Sequence, residues 1–280
     1  MTGAGGIAVT TSMRAGDREA AHAQHLASLL GATYSERLGR SLPEVAAGAA
    51  ADGAIEAIVV VEAGRTSLVS LAPDGAETGR LFFHPGMALM RIRRLASGGR
   101  DPMVDAMGLV PGDTVLDCTL GLASDAVVSS WVVGPSGHVL GIEASPVLAV
   151  LVREGLMDYS DAEEDVLAAM GRIEAECGLH EHYLSESGGG SFDVVYFDPM
   201  FRSPVTASPG IAPLRAWAHA GNLSPQALNE AVRVARRRVV VKDRHYGGEL
   251  ARLGITERSG GRKSSVEYGI IHVDAVGGHR

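Results

Sequence analysis

The chain has 280 residues, and 46% of them are hydrophobic, which is enough for a large core and argues against a disordered protein. The formal net charge of −8 argues against a protein whose whole surface is basic for nucleic acid. Two cysteines do not resemble a disulfide framework or a metal site, and no apolar run approaches ~20 residues. The composition therefore predicts a cytoplasmic protein without a membrane span or a bound metal.

Residues 1–80 carry patterns that predict a small N-terminal α+β domain. A strand is predicted at 7–11, and apolar residues at helical spacing predict a helix at 16–30. A further helix is predicted to start at Ser41, because this residue can cap it and Glu44 can bond back to the cap. Two β-like segments predict a hairpin, at 57–61 and 66–71.

Residues 81–280 are predicted to form a second domain, in which strands and helices alternate from about Asp101 onward. This alternation is typical of a parallel sheet with crossover helices. Strands are predicted at 114–118, 137–143, 173–177, 192–197, 238–242 and 266–273. Helices are predicted at 90–96, 123–133, 161–171 and 225–236, with another starting at Ser145-Pro146, and loops at 97–102 and 187–191.

Two of the predicted strands end in acids that suit a nucleoside cofactor. Asp117 is followed by a tight turn with Gly121 and then a helix start, where backbone N–H groups can approach a ligand. Glu143 ends the next strand, 26 residues later, and can accept hydrogen bonds from ribose hydroxyls. An ordinary strand-to-helix turn followed by a surface acid at the end of the next strand would show the same sequence pattern, so this alternative stays open.

A third strand, 192–197, leads directly into Asp198-Pro199-Met200-Phe201. A carboxylate and a backbone carbonyl at this place could accept the two hydrogens of an aromatic amine and direct its lone pair at an electrophilic methyl group. Phe201 could stack on the acceptor ring. The alternative is a strand-ending turn with Asp198 as a cap.

Together these segments resemble class I S-adenosylmethionine-dependent methyltransferases and, more narrowly, the small-subunit rRNA guanine-N2 methyltransferase J family. The resemblance lies in four stretches, 82–88, 116–125, 193–201 and 238–242. Asp198 to Phe201 is a variant of the Asp/Asn-Pro-Pro-aromatic motif of amino methyltransferases. The resemblance implies an α/β, Rossmann-like, seven-stranded, mostly parallel sheet with an antiparallel last strand. It also implies that S-adenosylmethionine binds across the carboxyl ends of the strands.

The resemblance further implies three groups of site residues. The catalytic group is Asp198, Pro199 and Phe201. The cofactor group is Asp117, Thr119, Gly121, Ser124, Asp125, Glu143, Ala144, Cys177, Gly178 and Asp198. The substrate group is His84, Met200, Phe201, Arg202 and Lys242. The chain departs from the family pattern at Ala123, Leu179 and Arg202, where relatives have Gly, a polar or acidic residue, and Pro.

The resemblance favours a guanine amine of small-subunit rRNA as the methyl acceptor, and thus a role in rRNA processing. Arginines are clustered at 91–100 and 233–244, as RNA binding would require. The net charge of −8 and Arg202 favour the alternative, a small heteroaromatic or amine metabolite. A cofactor-binding protein without activity is the third possibility, because Ala123 and Leu179 both alter the expected cofactor site.

Overall fold

The computed structural model describes residues 6–50, 53–199, 217, 222–260 and 265–273. Its strands are β1 (Ile7–Thr11), β2 (Thr33–Tyr34), β3 (Ala57–Glu62), β4 (Arg65–Leu71), β5 (Glu77–Phe82), β6 (Thr114–Asp117), β7 (His138–Glu143), β8 (Ile173–Cys177), β9 (Phe192–Phe197), β10 (Ala235–Arg244), β11 (Arg258–Ser259) and β12 (Val266–His272). Its helices are α1 (Asp17–Leu30), α2 (Leu42–Ala49), α3 (Met87–Ala96), α4 (Pro102–Met107), α5 (Ser124–Val133), α6 (Pro146–Asp158), α7 (Glu164–Met170), α8 (His180–Glu186), α9 (Pro225–Val234) and α10 (Glu249–Arg252).

The described residues divide into two compact units. The first unit holds the residues up to His84, together with Pro146–Tyr159 and Trp217. The second unit holds the described residues of 85–145, 160–199, 222–260 and 265–273. The division of function at residue 80 stays a prediction. Crossing a bilayer takes a helix of about 20 apolar residues, and within the described ranges no helix combines that length with that hydropathy.

The first unit is built on a five-stranded sheet with the order β2-β1-β3-β4-β5. β1 runs parallel to β2 and β3, whereas β3, β4 and β5 are antiparallel neighbours, so the predicted hairpin of β3 and β4 is present. The predicted start of α2 is also present, because the Glu44 carboxylate accepts a hydrogen bond from the backbone N–H of Ser41 at 2.6 Å. Val45, Ile58 and Val69 are buried together beneath this helix.

The second unit is built on a seven-stranded sheet with the order β11-β12-β10-β9-β6-β7-β8. β6 to β10 are mutually parallel, and β12 and β11 are antiparallel, which confirms the Rossmann-like sheet predicted from the resemblance. The strand order reverses direction between β6 and β9. In parallel α/β sheets, ligands bind at such a switch point, outside the carboxyl ends of the strands.

Two predicted elements differ from the observed secondary structure, the loop at 97–102 and the helix at 225–236. Residues 97–102 are predicted as a loop, but Asp101-Pro102 starts α4, and the Asp101 carboxylate caps it by accepting from Met103 N at 3.0 Å. The helix predicted at 225–236 ends at Val234, because β10 already begins at Ala235.

The arginine run 236–238 is consequently part of β10, and each side chain has an internal partner. Arg236 pairs with Asp193 at 3.2 Å, and Arg237 pairs with Asp113 at 2.6 Å. Arg238 donates to the carbonyl of Ala106 at 2.8 Å. These arginines fasten the amino end of the sheet, away from the edge where a ligand would bind.

Candidate active site

The three acids singled out by the sequence lie at one edge of the second unit's sheet. Asp117 and Glu143 end the adjacent strands β6 and β7, and Asp198 follows β9 on the other side of β6. Asp117 is 2% exposed and Glu143 6%, whereas the Asp198 side chain is 31% exposed. We call this group the strand-end site (Asp117, Glu143 and Asp198). The parallel strands bring the three carboxylates to the switch point of the sheet, as expected.

The turn between β6 and α5 ties the strand-end site together. Thr119 donates its backbone N–H to the Asp117 carboxylate at 3.0 Å. The hydroxyl oxygen of the same residue accepts the backbone N–H of Asp198 at 2.6 Å. Thr119 therefore fixes the distance between the ends of β6 and β9.

Glu143 is held by the backbone of both neighbouring turns. Its Oε2 accepts the N–H of Gly121 at 3.0 Å, and its Oε1 accepts the N–H of Ser145 at 2.8 Å. These two hydrogen bonds orient the carboxylate, which is an acceptor-only group suited to hydroxyl donors. Gly121 has φ +53°, and a Cβ there would meet only the carbonyl oxygen of Thr119, at 3.9 Å, so the turn leaves open space.

Ala123 has a backbone conformation that favours glycine. It precedes α5 in the left-handed backbone conformation, with φ +59° and ψ +16°, and it is completely buried. For an L-residue with a Cβ this conformation costs about 1–2 kcal/mol. The turn therefore keeps its left-handed conformation at Ala123 despite this unfavourable free energy.

Lys242 joins two carboxylates at the same edge of the sheet. Its Nζ lies 2.7 Å from Asp198 Oδ2 and 3.0 Å from Asp125 Oδ2. The placement follows from strand register, since Val241 of β10 is opposite Phe197 of β9 and the next residues are therefore neighbours. Burial alone would lower the pKa of Lys242, but the two carboxylates outweigh burial and raise it, so the amine stays charged.

Asp125 is the centre of a wider buried network. It forms an ion pair with Arg91 of α3, and it accepts the hydroxyl hydrogen of Tyr196 at 2.8 Å. Arg91 in turn holds Asp101 through two hydrogen bonds, of 2.7 and 2.9 Å. Burial alone would raise the pKa of Asp125, but Lys242 and Arg91 hold it well below its usual range. Asp125 is therefore a fixed negative charge beside the strand-end site.

The pKa values of Asp117 and Asp198 shift in the opposite direction. Burial raises the pKa of Asp117 to about 8, opposed by the Thr119 N–H and reinforced by the charges of Asp125 and Asp198. Burial also raises the pKa of Asp198, with Lys242 opposing and Asp125 adding to the effect. A ligand that brings positive charge to this edge would lower the pKa values of both groups.

The remaining predicted residues are distributed unevenly around this site. Ser124 opens α5, and Ala144 follows Glu143 at the end of β7. Cys177 ends β8 opposite Glu143 and is exposed, and Gly178 donates its N–H to the carbonyl of Glu143 at 2.9 Å. Pro199 is buried after Asp198.

The predicted substrate residues are only partly placed by the structure. His84 belongs to the first unit, where its ring contacts Tyr159 with centroids 5.9 Å apart. Met200, Phe201 and Arg202 lie outside the described residues.

Three members of the network, Arg91, Asp101 and Tyr196, have no role in the sequence-based predictions. The sequence pattern groups Arg91 only with nearby arginines, and it predicts a loop at Asp101. The apolar run of β9 could have indicated Tyr196, because a buried tyrosine hydroxyl needs a partner. The identity of that partner depends on the fold, since Asp125 lies 71 positions away.

Comparison with known proteins places this chain in a family. A family model described as "Putative SAM-dependent methyltransferase" matches residues 51–265. The chain belongs to this family. The protein is thus an S-adenosylmethionine-dependent methyltransferase, which confirms the enzyme class and the cofactor expected from the resemblance.

Individual relatives and solved structures are similar to the methyltransferase to different extents. The chain is 39% identical over 264 residues to "Uncharacterized protein YpiP" of Bacillus subtilis (strain 168), covering 94% of this chain and 98% of that protein. It is 35% identical over 156 residues to "Ribosomal RNA small subunit methyltransferase J" of Coxiella burnetii (strain RSA 331 / Henzerling II), covering 54% and 59%. The crystal structure of the SAM-dependent methyltransferase NGO1261 from Neisseria gonorrhoeae has the same fold, with a TM-score of 0.64, 17% identity, and coverage of 95% and 96%.

The strand-end site suits the chemistry of this cofactor. S-adenosylmethionine carries two cationic groups and a ribose diol, and the methyltransferase offers buried carboxylates beside an open glycine turn. Glu143, already oriented by two backbone N–H groups, would accept the ribose hydroxyls. Asp117 and the turn at Gly121 would face the cationic part. When bound, the cofactor supplies a sulfonium methyl group, and the electron pair of its carbon–sulfur bond leaves with the sulfur.

Proposed function

We propose that this methyltransferase acts on an exocyclic amine, and that the amine is N2 of a guanine in small-subunit rRNA. The observation that carries the proposal is the partly exposed Asp198, which with Pro199 directly follows β9, the strand paired with β6. The rRNA assignment draws support from the name of the Coxiella relative, although that match spans only 59% of the relative.

The proposed chemistry needs a group that makes a poor nucleophile reactive. The lone pair of an aromatic amine is delocalised into its ring, which weakens it as a nucleophile. Asp198 and the carbonyl of Pro199 would accept the two amine hydrogens and favour a pyramidal nitrogen with a localised lone pair. The nitrogen then forms its bond to the methyl carbon and loses one proton, which Asp198 can accept or pass to water.

Lys242 has a positioning role in this proposal. It binds one oxygen of Asp198 at 2.7 Å and so fixes the direction of the carboxylate. Its charge also opposes the effect of burial and of Asp125 on the pKa of Asp198. Lys242 thus keeps Asp198 available as a hydrogen-bond acceptor for the amine.

The acceptor-binding group remains the predicted one. We infer that Phe201 stacks on the acceptor ring, and Met200, Arg202 and His84 remain predicted acceptor contacts. We also infer that the N-terminal domain, residues 1–80, contributes to acceptor choice. A cytoplasmic location is part of the same proposal, since ribosomal subunits are assembled there.

The test is mass spectrometry of rRNA nucleosides from cells with and without the gene. The proposal predicts that N2-methylguanosine in small-subunit rRNA falls when the gene is deleted and returns with the wild-type gene. An Asp198→Ala gene is the matched control and should not restore it. An unchanged nucleoside profile would contradict the rRNA assignment and favour a small heteroaromatic or amine metabolite, which the net charge of −8 also suits.

A further inference from the structure

A cavity of about 360 Å³ in the first unit has a strongly basic lining. Three arginines reach it from separate segments: Arg14 after β1, Arg37 from the loop before α2, and Arg80 from β5. The one acid in its lining is Glu62, and the side chain of Leu42 adds an apolar wall. The lining therefore carries an excess of positive charge, in a protein whose net charge is −8.

Arg37 is the least satisfied of these cations. Its Nε and Nη1 are both shielded from solvent, and neither has a hydrogen-bond partner among the described residues. Buried donors of a guanidinium normally have partners, because an unpaired buried polar group is costly. Both unpaired donors of this guanidinium can form charge-assisted hydrogen bonds with oxygens of an anion.

The acids near the cavity already pair with arginines, one of them outside the cavity lining (Arg65) and one within it (Arg80). Glu62 accepts two hydrogen bonds from Arg65, at 3.0 and 2.8 Å. Glu77 accepts from Arg80 at 3.2 and 3.3 Å, in an exposed pair. No described carboxylate pairs with Arg37, and burial together with Arg80 and Arg40 lowers its pKa.

The backbone of the Arg37 loop is held in an unusual conformation. Leu38 has φ +43°, a left-handed value that costs energy in a residue with a side chain, and Gly39 follows with φ +76°. The carbonyl of Arg37 accepts the N–H of Arg40 at 2.8 Å and closes the turn. This turn brings Arg37 and Arg40 to the same side, although like charges repel. Strained residues of this kind cluster at functional sites, where the surrounding structure holds them in place.

We propose that this cavity, lined by Arg14, Arg37 and Arg80, is a phosphate-binding site. Arginine forks bind phosphate oxygens through paired hydrogen bonds, and three of them around one cavity would neutralise a phosphate from several sides. The site is separate from the strand-end site and does not depend on which acceptor is methylated. A phosphate group could come from an RNA backbone or from a free phosphorylated compound.

The experiment compares the full-length wild type with Arg37→Gln, Arg14→Gln and Arg18→Gln. Arg18, exposed on α1 and not part of the cavity, is the control for loss of one charge in the same unit. In one arm, the affinity for a fluorescent single-stranded RNA is measured against salt concentration. In the other arm, thermal unfolding is followed with inorganic pyrophosphate at constant ionic strength. Circular dichroism checks that each variant folds. If Arg37→Gln does not fold, Arg14→Gln still tests the cavity, because Arg14 is exposed.

A phosphate of RNA in the cavity predicts that Arg37→Gln and Arg14→Gln weaken RNA binding about tenfold. The slope of log affinity against log salt should also decrease by about 0.7 for each phosphate that the variant no longer binds, while Arg18→Gln changes both little. If only the stabilisation by pyrophosphate is lost in the two cavity variants, the ligand is a free phosphorylated compound. If the cavity variants match Arg18→Gln in both arms, there is no phosphate site.

Discussion

Lys242 Nζ lies 2.7 Å from Asp198 Oδ2, which places a buried cation against the acid of the Asp-Pro motif. The same nitrogen reaches Asp125 at 3.0 Å, so one lysine holds two carboxylates that would otherwise repel each other. Arg91 completes the charge balance from the other side of Asp125. The four charged groups of Lys242, Asp198, Asp125 and Arg91 are therefore electrostatically coupled, and replacing any one of them should affect the others.

Replacing Lys242 with Met should lower both activity and stability. Removing one partner of a buried ion pair leaves an uncompensated charge, so the free energy of unfolding should fall by about 3 kcal/mol in urea unfolding. Methyl transfer should fall at least about a hundredfold, because Asp198 loses its orientation. The double variant Lys242→Met/Asp125→Asn should recover part of the stability, since it restores charge balance. Additive effects of the two substitutions would show that the residues are not coupled.

Asp117 should make stability depend on pH in a specific direction. Its pKa is about 8 in the folded protein and 3.8 as an ordinary Asp, so the folded protein retains a proton that the unfolded chain releases. The contribution of this group to stability is therefore complete below about pH 4 and is lost as pH rises to about 8, by up to about 1.4 kcal/mol per pH unit. Urea unfolding across this range should show Asp117→Asn gaining stability over the wild type as pH rises. A difference in unfolding free energy between the two proteins that stays constant with pH would contradict the raised pKa of Asp117.

Ala123 and Ala126 form a matched pair for measuring backbone strain. Both are buried alanines at α5, but Ala123 is left-handed, whereas Ala126 lies within the helix. Changing either alanine to glycine removes one methyl group and raises the conformational entropy of the unfolded chain by a similar amount. Both effects therefore cancel when the stabilities of the two variants are compared. Ala123→Gly should therefore be more stable than Ala126→Gly by about 1–2 kcal/mol, the relieved strain. Equal unfolding free energies would show that the turn is not strained.

Glu143→Gln tests the cofactor contact without changing side-chain size. The variant loses the charge and one acceptor oxygen, so calorimetry should show S-adenosylmethionine binding weakened by about tenfold or more, in line with the loss of a charged hydrogen bond. Glu174→Gln, an exposed acid on the neighbouring strand β8, is the control and should bind like the wild type. If both variants bind equally well, Glu143 does not hold the ribose.

The sequence predicted the strand-end acids because the geometry of parallel strands is general. Asp117, Glu143 and Asp198 each follow an apolar run, and the carboxyl ends of such strands meet at one edge. The network behind them could not be predicted, because it depends on residues distant in sequence. Arg91 and Asp125 are 34 positions apart, and their pairing depends on how α3 packs on α5.

Short elements were harder to predict for a different reason. α4 and α8 have only six and seven residues, too few to show helical periodicity, and Asp-Pro can start a helix as well as a loop. The arginines at 236–238 resembled a solvated or RNA-binding run. Their internal partners, such as Asp113 and Asp193, become visible only once β10 is aligned with β9.

The most direct test of the account is Asp198→Ala, with cofactor binding and methyl transfer measured on the same preparation. Calorimetry should give an affinity for S-adenosylmethionine within about tenfold of the wild type, because Asp117 and Glu143 remain. Transfer of a labelled methyl group to rRNA from a strain lacking the gene, or to any amine that the wild type methylates, should fall at least about a hundredfold. Transfer at the wild-type rate would contradict the assignment of Asp198 as the residue that holds the amine.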